Sequence, residues 1–279
     1  MERRPFGRTG RDVSVIGQGT WRLDASDRPA AVAALRQGID RGMTHIDTAE
    51  MYGEAESIVG EAIKGRRHEV FLVSKVLPEH SSRKLTRVAC ERSLRALGTD
   101  HLDVYLLHWR GRVPLQETLE ALSRLQHEGK IMAWGVSNFD VPDLEELRRL
   151  MGTERPACNQ VLYHLEERVI ERAVLPWCVE HGVAVVGYTP FGRGRFPGPD
   201  TRRGAVLERV AAAHGATPRQ VALRFLARWP SLFTIPKASS AAHVDENARA
   251  ADLVLDPAEM DEIDKAFALG PQPRELLVC

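Results

Sequence analysis

The stretch Leu102-Asp103-Val104-Tyr105-Leu106-Leu107-His108 is a mainly apolar run that ends on an ionisable side chain. Runs of the same kind, β-branched or apolar, recur on both sides of it at 44–47, 70–75, 131–137, 157–161, 183–188, 232–236 and 251–255. A helical pattern follows most of them. Val32, Leu35 and Ile39 share one face at the 3.6-residue period, with Pro29 suited to a first turn. Leu115, Leu119 and Leu122 share another, and Gly129 beyond them is a natural stop. Leu144 and Leu147 begin a third. Thr217-Pro218 reads as an N-cap and first-turn proline ahead of Val221, Ala222 and Phe225. Strand and helix in alternation imply parallel pairing with right-handed crossovers. Eight runs of this kind favour an α/β fold, a closed (β/α)8 TIM barrel. A doubly wound open sheet is the competitor. The segment 1–15 precedes the barrel and suits an N-terminal β-hairpin with Thr9-Gly10 at its turn, closing the barrel's lower end. A single barrel domain over 1–279 is expected.

The chain has 279 residues, with 38 Lys+Arg against 38 Asp+Glu and a formal net charge of zero. That balance argues against nucleic acid or an anionic membrane as partner, since both call for clustered positive charge. Mean hydropathy is −0.27, and no apolar run approaches the roughly 20 residues needed to span a bilayer. A cytoplasmic monomer acting on small molecules is expected. Cys90, Cys158, Cys178 and Cys279 are irregularly spaced and form no Cys-x-x-Cys pair. They read as reduced, mainly buried thiols with Cys279 exposed at the terminus, and not as a zinc ribbon or disulfide framework.

In such barrels reactive groups sit at the C-terminal ends of the strands. The residues at the ends of the runs are Asp47, Lys75, His108, Ser137-Asn138, Gln160, Tyr188 and Lys237. Most fall roughly 30 residues apart, about one βαβ unit. The longest interval holds the Gly/Pro-rich loop 192–204 and an extra helix. Each anchor alone suits a cap, a turn or a solvated side chain. Their weight comes from their joint register with the strands.

Asp47, Lys75 and His108 make a coherent chemical set with Tyr52. A phenol titrates near pH 10, and a neighbouring lysine cation favours the phenolate and lowers that value. An aspartate would hold the lysine charged and oriented. A histidine can polarise a carbonyl oxygen by donating to it. The set is a general acid aimed at a developing alkoxide, as carbonyl reduction requires, and needs no metal. His45 is expected to point away from its strand neighbours and not to join a metal site.

The chain resembles the aldo-keto reductases, over nearly its whole length. The resemblance is carried by Asp47-Thr48-Ala49-Glu50-Met51-Tyr52-Gly53, Val73-Ser74-Lys75 and Asp103-Val104-Tyr105-Leu106-Leu107-His108-Trp109. It continues through Gly135-Val136-Ser137-Asn138-Phe139, Asn159-Gln160-Val161, Tyr188-Thr189-Pro190-Phe191, Ile235-Pro236-Lys237 and Glu246-Asn247. It implies a barrel that binds NADPH without a Rossmann fold and reduces aldehydes or ketones. It also implies a catalytic tetrad of Asp47, Tyr52, Lys75 and His108, with Tyr52 as proton donor. By the same match, Ser137, Asn138 and Gln160 would hold the nicotinamide carboxamide, and Tyr188 would stack on its ring. Thr189, Pro190, Phe191, Gly192, Arg193 and Gly194 would run beside the pyrophosphate. Lys237, Ser239, His243, Glu246 and Asn247 would surround the 2′-phosphate and adenine. Trp21, Tyr52, His108 and Trp109 would wall the substrate.

Three positions depart from the family pattern. His243 stands where many members have arginine, and it cannot copy a bidentate fork. Ala238 replaces a common hydroxyl, for which Ser239 is placed to compensate. NADPH is therefore favoured through Lys237, and NADH stays open. Arg110 replaces a frequent proline, and reads either as a selector of anionic substrates or as a solvated side chain. The arginines of 192–204 read as a solvated loop or as a diphosphate clamp. A short tail after 255, with one helix over 257–268, suggests an open pocket. Two other functions compete: a cofactor sensor or regulatory module on the same barrel, and an aldolase-type barrel with Lys75 as Schiff-base lysine.

Overall fold

The computed structural model describes residues 1–271 and 276–278. Cys279, expected as an exposed thiol, lies outside the described residues.

The chain opens with an antiparallel hairpin of β1 (Arg3–Pro5) and β2 (Asp12–Ser14), in register Arg3↔Ser14. Thr9 and Gly10 lie in its turn, as expected, and Gly10 adopts φ 69°. Eight parallel strands follow: β3 (Gln18–Gly19), β4 (His45–Asp47), β5 (Phe71–Val76), β6 (Leu102–Leu107), β7 (Ile131–Ser137), β8 (Cys158–Leu162), β9 (Ala184–Tyr188) and β10 (Leu232–Thr234). They pair in chain order. Parallel bridges Ile16↔Thr234 and Gly19↔Lys237 join the first strand to the last, so the sheet closes on itself. The open-sheet alternative is thereby excluded.

Helices α1 (Arg28–Asp40), α2 (Ala55–Ile63), α3 (Arg83–Leu97), α4 (Leu115–His127), α5 (Val141–Met151), α6 (Val174–His181), α7 (Arg202–Ala213), α8 (Pro218–Leu226), α9 (Ala241–Arg249) and α10 (Pro257–Ala266) surround the sheet. Their starts follow the expected chemistry. Asp27 caps α1 through Ala30 N–H, and Thr217 with Gln220 forms a capping box at α8.

One expected strand is absent. Residues 251–255 form the end of a short 3-10 turn (Ala250–Asp252) and an irregular segment. Ala250 and Ala251 pack among Leu223 and Val244 on the outer layer, and the closed sheet offers no edge to pair with. The eighth strand is instead β3, two residues long.

The hairpin seals the barrel's lower end. Phe6 is fully buried, with its ring 4.8 Å from Phe71 and 4.9 Å from Phe233. His45, expected to point away from its strand neighbours, instead shares the interior face with Asp47, since side chains two apart on a strand point the same way, and it sits one layer lower. Its ring packs edge-on against Phe6 and Phe71. Higher in the barrel, a Cβ on Gly135 would approach the Cys158 carbonyl to 2.8 Å, so β7 and β8 meet closely there.

Candidate active site

The upper ends of the strands converge on a cavity of about 310 Å3. Lys75 is fully buried, and its Nζ donates to Asp47 Oδ1 at 2.5 Å and to the Thr48 carbonyl at 2.8 Å. Burial opposes its charge, but the Asp47 carboxylate and the Tyr52 phenol outweigh that and raise its pKa. Lys75 is therefore a fixed cation. A Schiff-base lysine must be neutral and reachable, so the aldolase alternative fails.

Tyr52 comes from the turn after β4. The Lys75 Nζ stands 5.0 Å from its ring centroid, and the His108 ring meets it edge-on at 5.8 Å. Lys75 does pull the phenol's pKa down, as the sequence suggests, but burial pushes harder in the other direction. The net shift is upward, and Tyr52 stays protonated at neutral pH. His108 follows β6. Burial, reinforced by the Lys75 charge, depresses its pKa to about 3, so it is neutral. The Trp109 ring lies 4.7 Å from it.

A second group sits at the ends of β7, β8 and β9. Ser137 Oγ donates to the Gln160 carbonyl at 2.8 Å. Asn138 Nδ2 donates to the His108 carbonyl at 3.0 Å, and its Oδ1 accepts the Tyr188 hydroxyl at 2.9 Å. Gln160 Nε2 donates to Asp47 Oδ2 at 2.8 Å, so this group and the Asp47–Lys75 pair share one network. Asn138 and Thr189 hold left-handed backbones, φ 61° and 59°. For a β-branched threonine that is a strained conformation, of a kind found at functional sites.

Trp21, Asp47, Tyr52, His108, Trp109, Ser137, Asn138, Gln160, Tyr188, Thr189, Pro190, Phe191, Arg193 and Lys237 all line the cavity. Lys75 stands behind the lining, in contact with Asp47. Gly192, Gly194, Ser239, His243, Glu246 and Asn247 are outside the lining. Ser239 is nonetheless tied to it, accepting from Lys237 Nζ at 3.0 Å. His243 lies in the first turn of α9, where its N–H is capped by Ser240. Glu246 accepts the Thr217 hydroxyl at 2.7 Å and so braces the start of α8.

Arg110 lies outside the cavity lining and is partly solvated. It pairs with Glu146 at 2.8 Å and Asp143 at 3.4 Å on α5. Arg193 stacks over Trp21 with its guanidinium carbon 4.2 Å from the ring centroid. Arg22, Met51 and Val278 line the cavity without having been singled out. Met51 lies inside the Tyr52 motif, and Arg22 follows Trp21 in the chain. Val278 shows that the tail reaches the pocket, which the expectation of an open pocket had not included.

The aldo/keto reductase family model matches residues 15–268. The chain belongs to the aldo/keto reductase family. Among relatives of this aldo/keto reductase, methylglyoxal reductase YeaE of Escherichia coli (strain K12) is 46% identical over 269 residues, 94% of each chain. Glyoxal reductase of Bacillus subtilis (strain 168) is 34% identical over 275 residues, 96% of this chain and 95% of the relative. An aldo/keto reductase structure from Klebsiella pneumoniae, solved in complex with NADP and acetate, superposes with a TM-score of 0.93. It is 45% identical and covers 99% of both chains. A second Klebsiella structure, in complex with NADPH, gives the same TM-score at 44% identity. Both relatives are named as reductases, and the cofactor-sensor alternative draws no support from them. Among the described residues, no helix is long and apolar enough to cross a membrane.

Proposed function

We propose that this protein reduces small aldehydes and ketones to alcohols with NADPH, 2-oxoaldehydes among them, through Asp47, Tyr52, Lys75 and His108. One observation carries the assignment: a protonated tyrosine held between a buried lysine cation and a neutral histidine at the cavity wall.

The donor set suits the cofactor. The Ser137 hydroxyl and the Asn138 and Gln160 amides offer both donors and acceptors, as a carboxamide demands. The Tyr188 ring lines the same wall. Lys237, supported by Ser239, supplies a cation for the 2′-phosphate. Bound there, NADPH would supply the hydride for the carbonyl carbon. His108, neutral, donates a hydrogen bond to the carbonyl oxygen. Tyr52 breaks its O–H bond and gives the proton to that oxygen. The Lys75 cation stabilises the resulting phenolate, and Asp47 keeps Lys75 in place. Solvent then returns a proton to Tyr52. The two relatives named for glyoxal and methylglyoxal support the choice of 2-oxoaldehydes.

The test is NADPH consumption with methylglyoxal and an aromatic aldehyde, wild type against Tyr52→Phe, with NADH in parallel. Wild-type turnover and a loss of about 10²- to 10⁴-fold in the variant are expected, the usual worth of a positioned acid. Undiminished turnover in Tyr52→Phe would overturn the assignment. The same proposal takes the protein as a cytoplasmic monomer, one barrel domain, with no nucleic-acid partner. Sedimentation at micromolar concentration checks the monomer.

A further inference from the structure

Glu50 lies two residues before Tyr52, in the turn between Asp47 and the proposed proton donor, and the reaction above gives it no role. Its carboxylate is almost fully buried, with 3% of the side chain exposed. Oε1 accepts the Leu77 backbone N–H at 2.6 Å and lies 3.0 Å from His80 Nδ1. Oε2 accepts from Arg92 on α3. Leu77 is two residues beyond Lys75. One carboxylate thus ties the turn that bears Tyr52 to the end of the strand that bears Lys75.

Backbone bonds also join the two segments, with Thr48 N–H on the Val73 carbonyl at 2.9 Å, but past Thr48 they lengthen. Glu50 N–H reaches the Lys75 carbonyl at 3.4 Å, a long contact beside the 2.6 Å bond from Leu77. Within the turn, Tyr52 N–H bonds the Ala49 carbonyl at 3.0 Å, which shapes the turn but does not anchor it to β5. The Tyr52–Lys75 spacing, 5.0 Å from ring centroid to ammonium, therefore rests on the Glu50 bonds together with the hydrogen bond within the pair and the Lys75 bonds to Asp47 and Thr48. A charge-assisted bond to a buried carboxylate is stronger and shorter than a neutral one, and the Leu77 N–H and the Arg92 guanidinium both donate to this one, with the His80 ring nitrogen beside them.

We propose that Glu50 is a positioning residue for the proton transfer, fixing the Tyr52 turn against the end of β5 and so the spacing of Tyr52 from Lys75. The proposal rests on Tyr52 being the proton donor. Glu50 itself touches neither substrate nor cofactor, and it does not line the cavity.

A double-mutant cycle tests it: Glu50→Ala and Glu50→Gln, each in the wild-type and Tyr52→Phe backgrounds. The single-turnover rate of NADPH oxidation reads the chemical step, and KM for the carbonyl, NADPH affinity by fluorescence and the unfolding midpoint are followed alongside. Glu50→Ala is expected to slow the single-turnover rate by about 10- to 100-fold, the scale of an ångström-sized misplacement. KM and NADPH affinity should stay within about twofold. Glu50→Gln keeps an acceptor for the Leu77 N–H but gives up the charge that holds Arg92, and should show a smaller, still measurable loss. In Tyr52→Phe, neither variant should slow the residual rate further. An unchanged rate in folded Glu50→Ala overturns the proposal, and so does an equal loss in both backgrounds. If Glu50→Ala does not fold, Glu50→Gln decides by the same comparison: a loss confined to the wild-type background supports the proposal, and an equal loss or none overturns it. Wild-type turnover in Tyr52→Phe alone removes the proton-donor assignment itself and this proposal with it.

Discussion

Gln160 Nε2 lies 2.8 Å from Asp47 Oδ2 while Asp47 Oδ1 holds Lys75, so each oxygen of one buried carboxylate has its own partner. The bond joins residues 113 positions apart. It couples the amides at the β7–β8 ends to the cation beneath Tyr52.

Gln160→Leu should therefore do two kinds of damage. It strips one donor from a buried carboxylate, at a cost of about 1–3 kcal/mol, read as a lower urea midpoint. It should also weaken NADPH affinity. Loss of affinity with unchanged stability would mean that Asp47 finds a new donor.

The alkaline limit of carbonyl reduction follows from the upward shift of Tyr52. The donor form is the protonated phenol, and burial raises its pKa more than Lys75 lowers it. kcat/KM should stay flat through the range where an ordinary phenol titrates, about pH 10, and fall only above it. A pH series with a non-ionising aldehyde checks this. A fall well below pH 9 would show that Lys75 wins in solution.

His45 gives the fold its own pH dependence. Burial first, then the Lys75 charge, depress its pKa to about 3, against about 6.5 in the unfolded chain. Its contribution is fully present above the unfolded value and lost as pH falls from about 6.5 toward 3. Across that window the unfolded state binds the extra proton, costing about 1 kcal/mol per pH unit. His45→Phe should make the urea midpoint less sensitive to pH between 7 and 5. An equally steep fall in the variant would place the effect elsewhere.

Cofactor preference should turn on Lys237 and His243. Lys237→Ala removes the one cation of the Lys237–Ser239 pair and should lower the NADPH-over-NADH preference by about 10-fold, the worth of one charged hydrogen bond. His243→Arg adds a fork that can grip a phosphate bidentately and should raise it. Dissociation constants for both nucleotides, measured by fluorescence, decide. A preference unmoved by Lys237→Ala would place the 2′-phosphate elsewhere.

The barrel was readable in the sequence because most of its strands are apolar runs that end on a polar residue. The strand the pattern missed, β3, is two residues long and carries a buried glutamine. Gln18 is satisfied by the Leu35 and Met43 carbonyls, a long-range arrangement with no local signature. The segment 251–255 was apolar enough to resemble a strand, yet it packs on the outside of a sheet already closed by Ile16 and Thr234. Chemistry and register single out Asp47, Tyr52, Lys75 and His108, and the structure brings the four together. The direction of the Tyr52 shift was not legible, because it depends on how much water the fold excludes, and local sequence carries only the neighbouring charge. Arg110 was likewise ambiguous until α5 brought Glu146 beside it.

The complete burial of Lys75 has a further consequence for a protein that handles reactive carbonyls. Such compounds condense with exposed, uncharged amines and so inactivate many proteins. Lys75 is buried behind the cavity lining and held as a cation by Asp47, which shields from glycation the amine on which the proposed reduction depends. The exposed arginines at the rim, Arg22 and Arg193, are the groups that would take such damage first.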